Sequence, residues 1–543
     1  MKWMMAKIGQ GIIFLIGMMA CCEVEKPLYL TPVLEVMDAI EITRNSAKLS
    51  CKIELTGIEE VSGIRCLYGI SQEVEETLEC DSLSQTPSVF LEGLKPNTTY
   101  YYCFEVDNGY SKVRSAMNHF TTSPTTSPSV GDLNMLGKGP ISVMLQFDLL
   151  DDGGEDLLGV GFYIKEENGQ EETVEVACEG KSFLARLGNL KQQTQYEIQG
   201  FAKNDIGETR TEIISVETEQ SVVIVKAGTL KEIIGEENIF QFQELAVSGP
   251  LNGSDILILR EMMGRGVEGN LTQGRMKKLD LTDASIENGG YSYDGNHYTK
   301  KNVLGTGMFA GCLFLEEIAL PYGTIEIEKG AFDDCPELKT LCIPVMVKKV
   351  LPSQGCINLI QIDVVSNHQR YASYDGCLYS IDYKVLYWWP EGKTFTEKTF
   401  PEDLRRVEAY AFQKTCMKVL ELPSSVEELG MGAFYGSQLE SFVIPEKVTT
   451  VPTALFQQCE KLRTVYLGTE VGALSAYVFD GCLLEHLYVP VKDFLPMCHD
   501  EAFAGMRCSY EECVLHVPAG CKNMYRNGFL WSNFLQIKDD ITD

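Results

Sequence analysis

Four cysteines, Cys312, Cys335, Cys459 and Cys482, each stand three residues after a phenylalanine, in phrases such as "AFDDCPELKTLCIP" (331–344). A thiol at a fixed offset is a candidate nucleophile, disulfide half, metal ligand or core residue. Thr415 and Ser437 hold the same slot in two other phrases, with Cys416 one position later. Neither hydroxyl could stand in for a metal-binding thiolate or half of a disulfide, whereas either suits a small, half-buried slot. The column therefore reads as core packing, because cysteine is among the most often buried residues. The densest thiol cluster is Cys498, His499, Cys508, Cys513, His516 and Cys521. Only its Cys508/Cys513 gap comes near the C-x2–4-C pairs of zinc sites, so core cysteines with room for one disulfide fit it better. The acidic "DDGGED" (151–156) lacks the alternating oxygens and distal glutamate of a calcium loop and reads as a solvated turn. Six histidines leave little for catalysis, and H-E-x-x-H, G-x-S-x-G and G-x-x-x-x-G-K-[ST] are all missing. The expectation is a protein that is not an enzyme and holds no metal or cofactor.

The whole chain bounds what positions these residues. At 543 residues it is too long for one core. Hydrophobic residues at 45% and charged residues at 23% describe a globular protein. A formal charge of −31 without any basic stripe excludes a nucleic-acid partner.

Residues 1–20 read as a targeting segment: Lys2 and Lys7 precede the apolar "GIIFLIGMMA" (11–20), which is too short to span a bilayer. The following "CCEVEK" resembles a bacterial lipoprotein signal, with Met18 and Met19 departing from its usual residues. That resemblance implies cleavage before Cys21 and its lipidation, so that the lipid is the membrane attachment. Glu23 and Glu25 favour display on the outer face of an outer membrane. Residues 21–32 then form an anchor linker.

From 33 to 219 short alternating strands recur with turns every 8–12 positions, as in "AKLSCKIEL" (47–55). Leu94, Pro96, Thr98 and Tyr100 show L-x-P-x-T-x-Y spacing, and Leu190, Gln192, Thr194 and Tyr196 repeat it. Such a tyrosine buries its ring and bonds the backbone at the corner between strands. Both segments resemble fibronectin type III domains, the second adding the A-x-N-x-x-G loop (Ala202, Asn204, Gly207). The expected domains are 33–123 and 127–219, joined by the Ser/Thr/Pro-rich "TTSPTTSPS" (121–129). Tyr101 and Cys103 also read as an immunoglobulin Y-x-C. The type III register is preferred because it turns Tyr100, Tyr102, Phe104 and Val106 inward and Cys103 outward, without a Cys51–Cys103 disulfide.

In the second half, Phe309 and Phe332 are followed by Phe412, Phe434, Phe456, Phe479 and Phe503, a period of 22–24 within each run. A period in this range with L-x-x-L-x-L character predicts a leucine-rich solenoid. Residues 222–543 resemble the BspA-like leucine-rich repeat surface proteins. The strand-to-helix start at 245–262, the hairpin insertion at 373–394 and the closing segment at 517–537 carry the resemblance beyond the repeats. Gly468 in the proline slot and the turn around Cys356, which lacks its phenylalanine, depart from it. Trp388 and Trp389 in the insertion are expected on opposite faces, one in the core and the other exposed.

The fold class expected is thus multidomain: two all-β, immunoglobulin-like type III sandwiches followed by a leucine-rich solenoid. The outward columns of its strands run Ala319, Cys342, Glu421, Val443, Tyr466, Tyr488 and His516, and Glu317, Thr340, Val419, Ser441, Thr464 and His486. At a strand spacing of about 4.8 Å, Tyr466, Tyr488 and His516 form a ladder flanked by Thr464 and His486. These five are the candidate ligand-binding residues, whether for a protein or for sugar rings; an aromatic ladder also stabilises stacked strands by itself. The family resemblance implies adhesion to, or recognition of, a host or neighbouring-cell protein. Capture of an extracellular polysaccharide and an envelope scaffold are the alternatives.

Overall fold

A computed structural model describes residues 32–54, 63–80, 86–107, 112–167, 169–394 and 400–542. The targeting segment and Cys21 lie outside the described residues. Two compact units emerge. One holds Met1–Pro128 with Asp151–Leu157 and Lys203–Glu208; the other holds Ser129–Leu150, Leu158–Ala202 and Thr209–Asp543. No described helix is long and apolar enough to cross a membrane.

In the first unit, a three-stranded sheet (Val33–Val36, Ala47–Glu54, Ser88–Leu91) and a five-stranded one built on Gly63–Gly69 and Thr99–Asp107 form a sandwich. Alternation along Thr99–Asp107 sends Tyr100, Tyr102, Phe104 and Val106 into its core. The Lys95 N–H donates to the Tyr100 hydroxyl at 2.9 Å, closing the corner. Cys103 faces away from that core, yet it is buried under Leu67 and Val74, so the outward side of this sheet is covered. Cys51 and Cys103 are both free thiols. Within the acidic turn, Asp151 accepts the Gly153 N–H at 2.7 Å and pairs with Arg44, so this carboxylate is engaged rather than merely solvated.

The second sandwich repeats the device: the Lys191 N–H donates to the Tyr196 hydroxyl at 3.0 Å. Its strands are Asn134–Gly139, Ser142–Asp151 and Ser182–Leu187 on one side and Gly159–Glu166 and Gln195–Lys203 with their partners on the other. It joins the solenoid through Asp283. That buried carboxylate accepts the Ile141 N–H at 2.6 Å, the Ser142 hydroxyl and the Arg186 guanidinium.

The solenoid starts on the strand Glu244–Leu251 and the helix Gly253–Met262. Asn252 and Asp255 form a reciprocal capping box there, satisfying N–H groups that the first helical turn leaves unpaired. Parallel strands then follow at the repeat period. Lys278–Asp280, Glu317–Ala319, Thr340–Ile343 and Gln361–Val364 pair in order on one sheet. After the antiparallel insertion (Tyr371–Tyr374, Cys377–Ser380, Val385–Trp388), a second sheet runs from Val419–Leu420 through Ser441–Val443, Thr464–Tyr466, His486–Tyr488 and Val514–Pro518 to Gln536–Ile541.

Inside, the repeat phenylalanines stack. Phe434 and Phe456 lie 5.6 Å apart, Phe456 and Phe479 6.0 Å, and Phe479 and Phe503 5.8 Å, all nearly parallel. Burying each such ring contributes roughly 1.5–3 kcal/mol. The residue two after each phenylalanine has positive φ, as at Gly311, Asp334, Lys414, Gln458 and Gly481. This turn brings the next side chain inward. There the cysteine column does more than fill space: the thiols of Cys335, Cys459 and Cys482 donate to the carbonyls of Phe309, Phe434 and Phe456 one turn back, at 3.1, 2.9 and 3.1 Å. Thr415 and Ser437 are fully buried, not half-buried. The Ser437 hydroxyl lies 3.2 Å from the Cys459 sulfur, so a hydroxyl serves in this slot because the slot hydrogen-bonds. In the departing turn Cys356 still bonds the Phe332 carbonyl at 3.1 Å.

The tryptophan expectation needs correction. Trp388 and Trp389 do point oppositely, but both are buried, one in each of two core clusters that meet at the insertion. Trp389 occupies a phenylalanine slot: its N–H donates to the Ala411 carbonyl as Phe412 donates to Ala433, and its ring lies 5.4 Å from Phe412. The 23-residue step from 389 to 412 was the missed signal.

Charged side chains bridge turns on the outside. Glu316 pairs with Lys277 at 2.7 Å and with Lys339. These two cations hold its carboxyl at about 2, below the usual carboxylate range. A depressed folded value stabilises above the unfolded carboxylate range and is lost as pH falls toward 2. Glu316→Gln is therefore expected to melt below wild type at pH 7, with the gap shrinking as pH drops below about 4. A gap constant from pH 7 to pH 3 would contradict this.

Candidate functional site

The structure brings the aromatic candidates together on the outer face of the second sheet. Strand pairing sets Val443 opposite Tyr466, Tyr466 opposite Tyr488, and Tyr488 opposite His516, while Thr464 stands opposite His486. Side chains alternate along each three-residue strand, so its central residue (Val465, Leu487) enters the core and the flanking pair points out. Tyr466 and Tyr488 stack at 4.3 Å with 15° between planes, and Tyr488 and His516 at 4.1 Å with 11°.

The five candidates differ in exposure. Tyr466 is exposed at 39%; Thr464, His486 and Tyr488 are half-buried; His516 is buried at 5%. His516 is thus not a surface group but the support behind the ladder. Its Nδ1 lies 2.8 Å from the Asp540 carboxylate and its Nε2 3.1 Å from His486 Nδ1. A carboxylate only accepts, so Nδ1–H of His516 donates to Asp540 and, in the neutral ring, Nε2 accepts from His486. This chain locks the orientation of both imidazoles.

Sequence reasoning missed Asp540, which comes from the closing strand beyond the last repeat phrase. The available signal was spacing: Lys538, the register partner of His516, stands 22 residues after it. Tyr466, Leu467, Tyr488, Pro490, Asp540, Ile541 and Thr542 enclose a concavity of about 430 Å³. Burial, reinforced by Tyr466, pushes the Tyr488 phenol up, so it remains a neutral donor at physiological pH.

The matching column on the first sheet is covered differently. Ala319, Leu320, Tyr322 and Cys342 face Leu136 and Met144 of the second sandwich around a cavity of about 230 Å³. Burial pushes the Cys342 thiol up to about 11, which keeps it protonated and unreactive. Among the described residues no three or more metal-ligating side chains converge.

The ring geometry limits what the ladder can hold. A sugar stacks on a free aromatic face. Both faces of Tyr488 are taken, by Tyr466 and by His516, and Tyr466 keeps one face, toward Val443. What the row presents is ring edges and hydroxyls beside the exposed Val443.

A family model for the BspA type leucine rich repeat region matches six copies, over residues 298–382 and 390–508. No curated protein matches the chain. Among solved structures, the pneumococcal vaccine antigen PcpA is similar with 16% identity and a TM-score of 0.38, over 55% of this chain and 80% of that one. A leucine rich cell surface protein from Faecalibacterium prausnitzii shows 17% identity and a TM-score of 0.36, over 60% and 83%. The FN1–FN3 domains of chicken CNTN1 show 14% identity and a TM-score of 0.19, over 36% and 71%. With six copies of the repeat falling on the turns whose phenylalanines and cysteines stack as described, the chain belongs through its solenoid to the BspA-type leucine-rich repeat family.

Proposed function

We propose that this chain is a non-enzymatic, lipid-anchored surface protein of an outer membrane whose solenoid recognises a protein on a host or neighbouring cell. The observation that carries this reading is the outer row Val443–Tyr466–Tyr488, a rigid strip of apolar and phenolic groups with its ring faces already consumed. Such a strip suits the packed centre of a protein interface, where tyrosines dominate binding energy. It suits polysaccharide less, because one free ring face cannot carry a run of sugars. The sheet's extended surface also favours a large ligand. Attachment through Cys21 and two sandwich spacers would hold the solenoid away from the membrane.

Replacing Tyr466 and Tyr488 together with alanine tests it. Attachment of cells bearing the variant is expected to fall about thirtyfold, the equivalent of a 2 kcal/mol contact, with polysaccharide retention unchanged. Lost retention with intact attachment would favour the glycan reading instead.

A further inference from the structure

One thiol pair outside the repeat column is placed to react. The turn after the last repeat phenylalanine folds back on itself: the Glu512 and Cys513 N–H groups donate to the Ser509 carbonyl at 3.1 and 3.2 Å. Glu512 in return accepts the Ser509 N–H at 3.0 Å and its hydroxyl at 3.2 Å. This closure brings the side chains of Cys508 and Cys513, five residues apart, into hydrogen-bond contact. Cys508 is partly exposed, whereas Cys513 is fully buried beneath it. The other touching pairs, Cys312 with Cys335 and Cys459 with Cys482, are wholly buried, and the Cys335, Cys459 and Cys482 thiols are committed to main-chain carbonyls. No oxidant reaches them.

We infer that Cys508 and Cys513 form a redox site: Cys508 attacks a low-molecular-weight disulfide and Cys513 resolves the adduct into a Cys508–Cys513 bond. The hydrogen bond from Cys513 holds the Cys508 thiol down to about 7, and the same contact with burial pushes Cys513 up. An accessible, depressed thiol beside a buried partner is the arrangement of an attacking and a resolving cysteine. In the first step the Cys508 thiolate bonds one sulfur of the small disulfide, whose S–S bond breaks and releases one thiol. In the second, Cys513 gives up its proton, bonds Cys508, and expels the other thiol. The two cysteines lose two electrons and two protons, and the small disulfide gains them. The new bond clamps the turn that leads directly into the strand Val514–Pro518, on which His516 supports the ladder.

Oxidised glutathione added to the reduced full chain is the probe. Peptide mass mapping after cleavage at Glu511 and Glu512 reads the linkage, because the two halves then stay joined only through sulfur. The expected result is one intramolecular link between Cys508 and Cys513, with Cys312, Cys335, Cys459 and Cys482 still reduced. Cys513→Ser should stop at a single glutathione adduct on Cys508, and Cys508→Ser should leave Cys513 unmodified while the fold is retained by circular dichroism. Free Cys508 and Cys513 after treatment of the wild type, or no adduct on Cys508 in Cys513→Ser, overturns the proposal.

Discussion

Phe456→Ala is expected to lower the stability of the solenoid by about 3–5 kcal/mol. The ring is completely buried between Phe434 and Phe479, with Phe442 against its edge at 5.4 Å. Its main chain is pinned as well, since its N–H donates to the Val478 carbonyl at 3.0 Å and its carbonyl accepts the Cys482 thiol. With both neighbours held by their own turns, the cavity cannot collapse. In a stacked array the loss passes to adjacent turns, because each derives its stability from the interface with the next. Denaturant unfolding followed by tryptophan emission measures it, with Trp388 and Trp389 reporting the insertion and Trp531 the closing segment. Phe494→Ala, at a ring 44% exposed, is the control and should stay within about 0.5 kcal/mol. A loss below about 1 kcal/mol at Phe456 would show that the stack is not what holds the array.

The second large effect is expected at Asp283→Ala, at about 3–5 kcal/mol. Its carboxylate is the shared acceptor for Ile141, Ser142 and Arg186, and its side chain is only 2% exposed. Deleting it strands three donors, one of them the guanidinium that also lies 5.4 Å over the Tyr322 ring. The penalty for an unpaired, partly buried charge exceeds the worth of the pair itself. Hydrogen exchange at the Ile141 amide is the direct readout and should accelerate by about two decades or more, at 1.36 kcal/mol per decade. Asp283→Asn, which keeps an acceptor for that amide, should lose less. Unchanged exchange at Ile141 in the alanine variant would mean that the sandwich is held to the solenoid by other contacts.

The sequence by itself determined what recurs. The phenylalanine period marked the turns of the solenoid, because a repeat that cannot bury its own face must stack on a copy of itself. The L-x-P-x-T-x-Y spacing marked the corner tyrosines, because one hydroxyl must satisfy one backbone N–H five residues back. The alternation that placed Tyr466, Tyr488 and His516 on one face followed from strand geometry and needed only a register. What occurs once was decided by the tertiary structure. Trp389 reads as an exposed insertion residue until the second core closes over it. Asp283 is one of 77 acidic residues until a neighbouring domain supplies three donors. His516 and Asp540 lie 24 residues apart, and only the closing strand lays the carboxylate against the imidazole. Local pattern dictates which side of a strand a residue faces; whether that side meets water, a second core or another domain is set by contacts from distant parts of the chain.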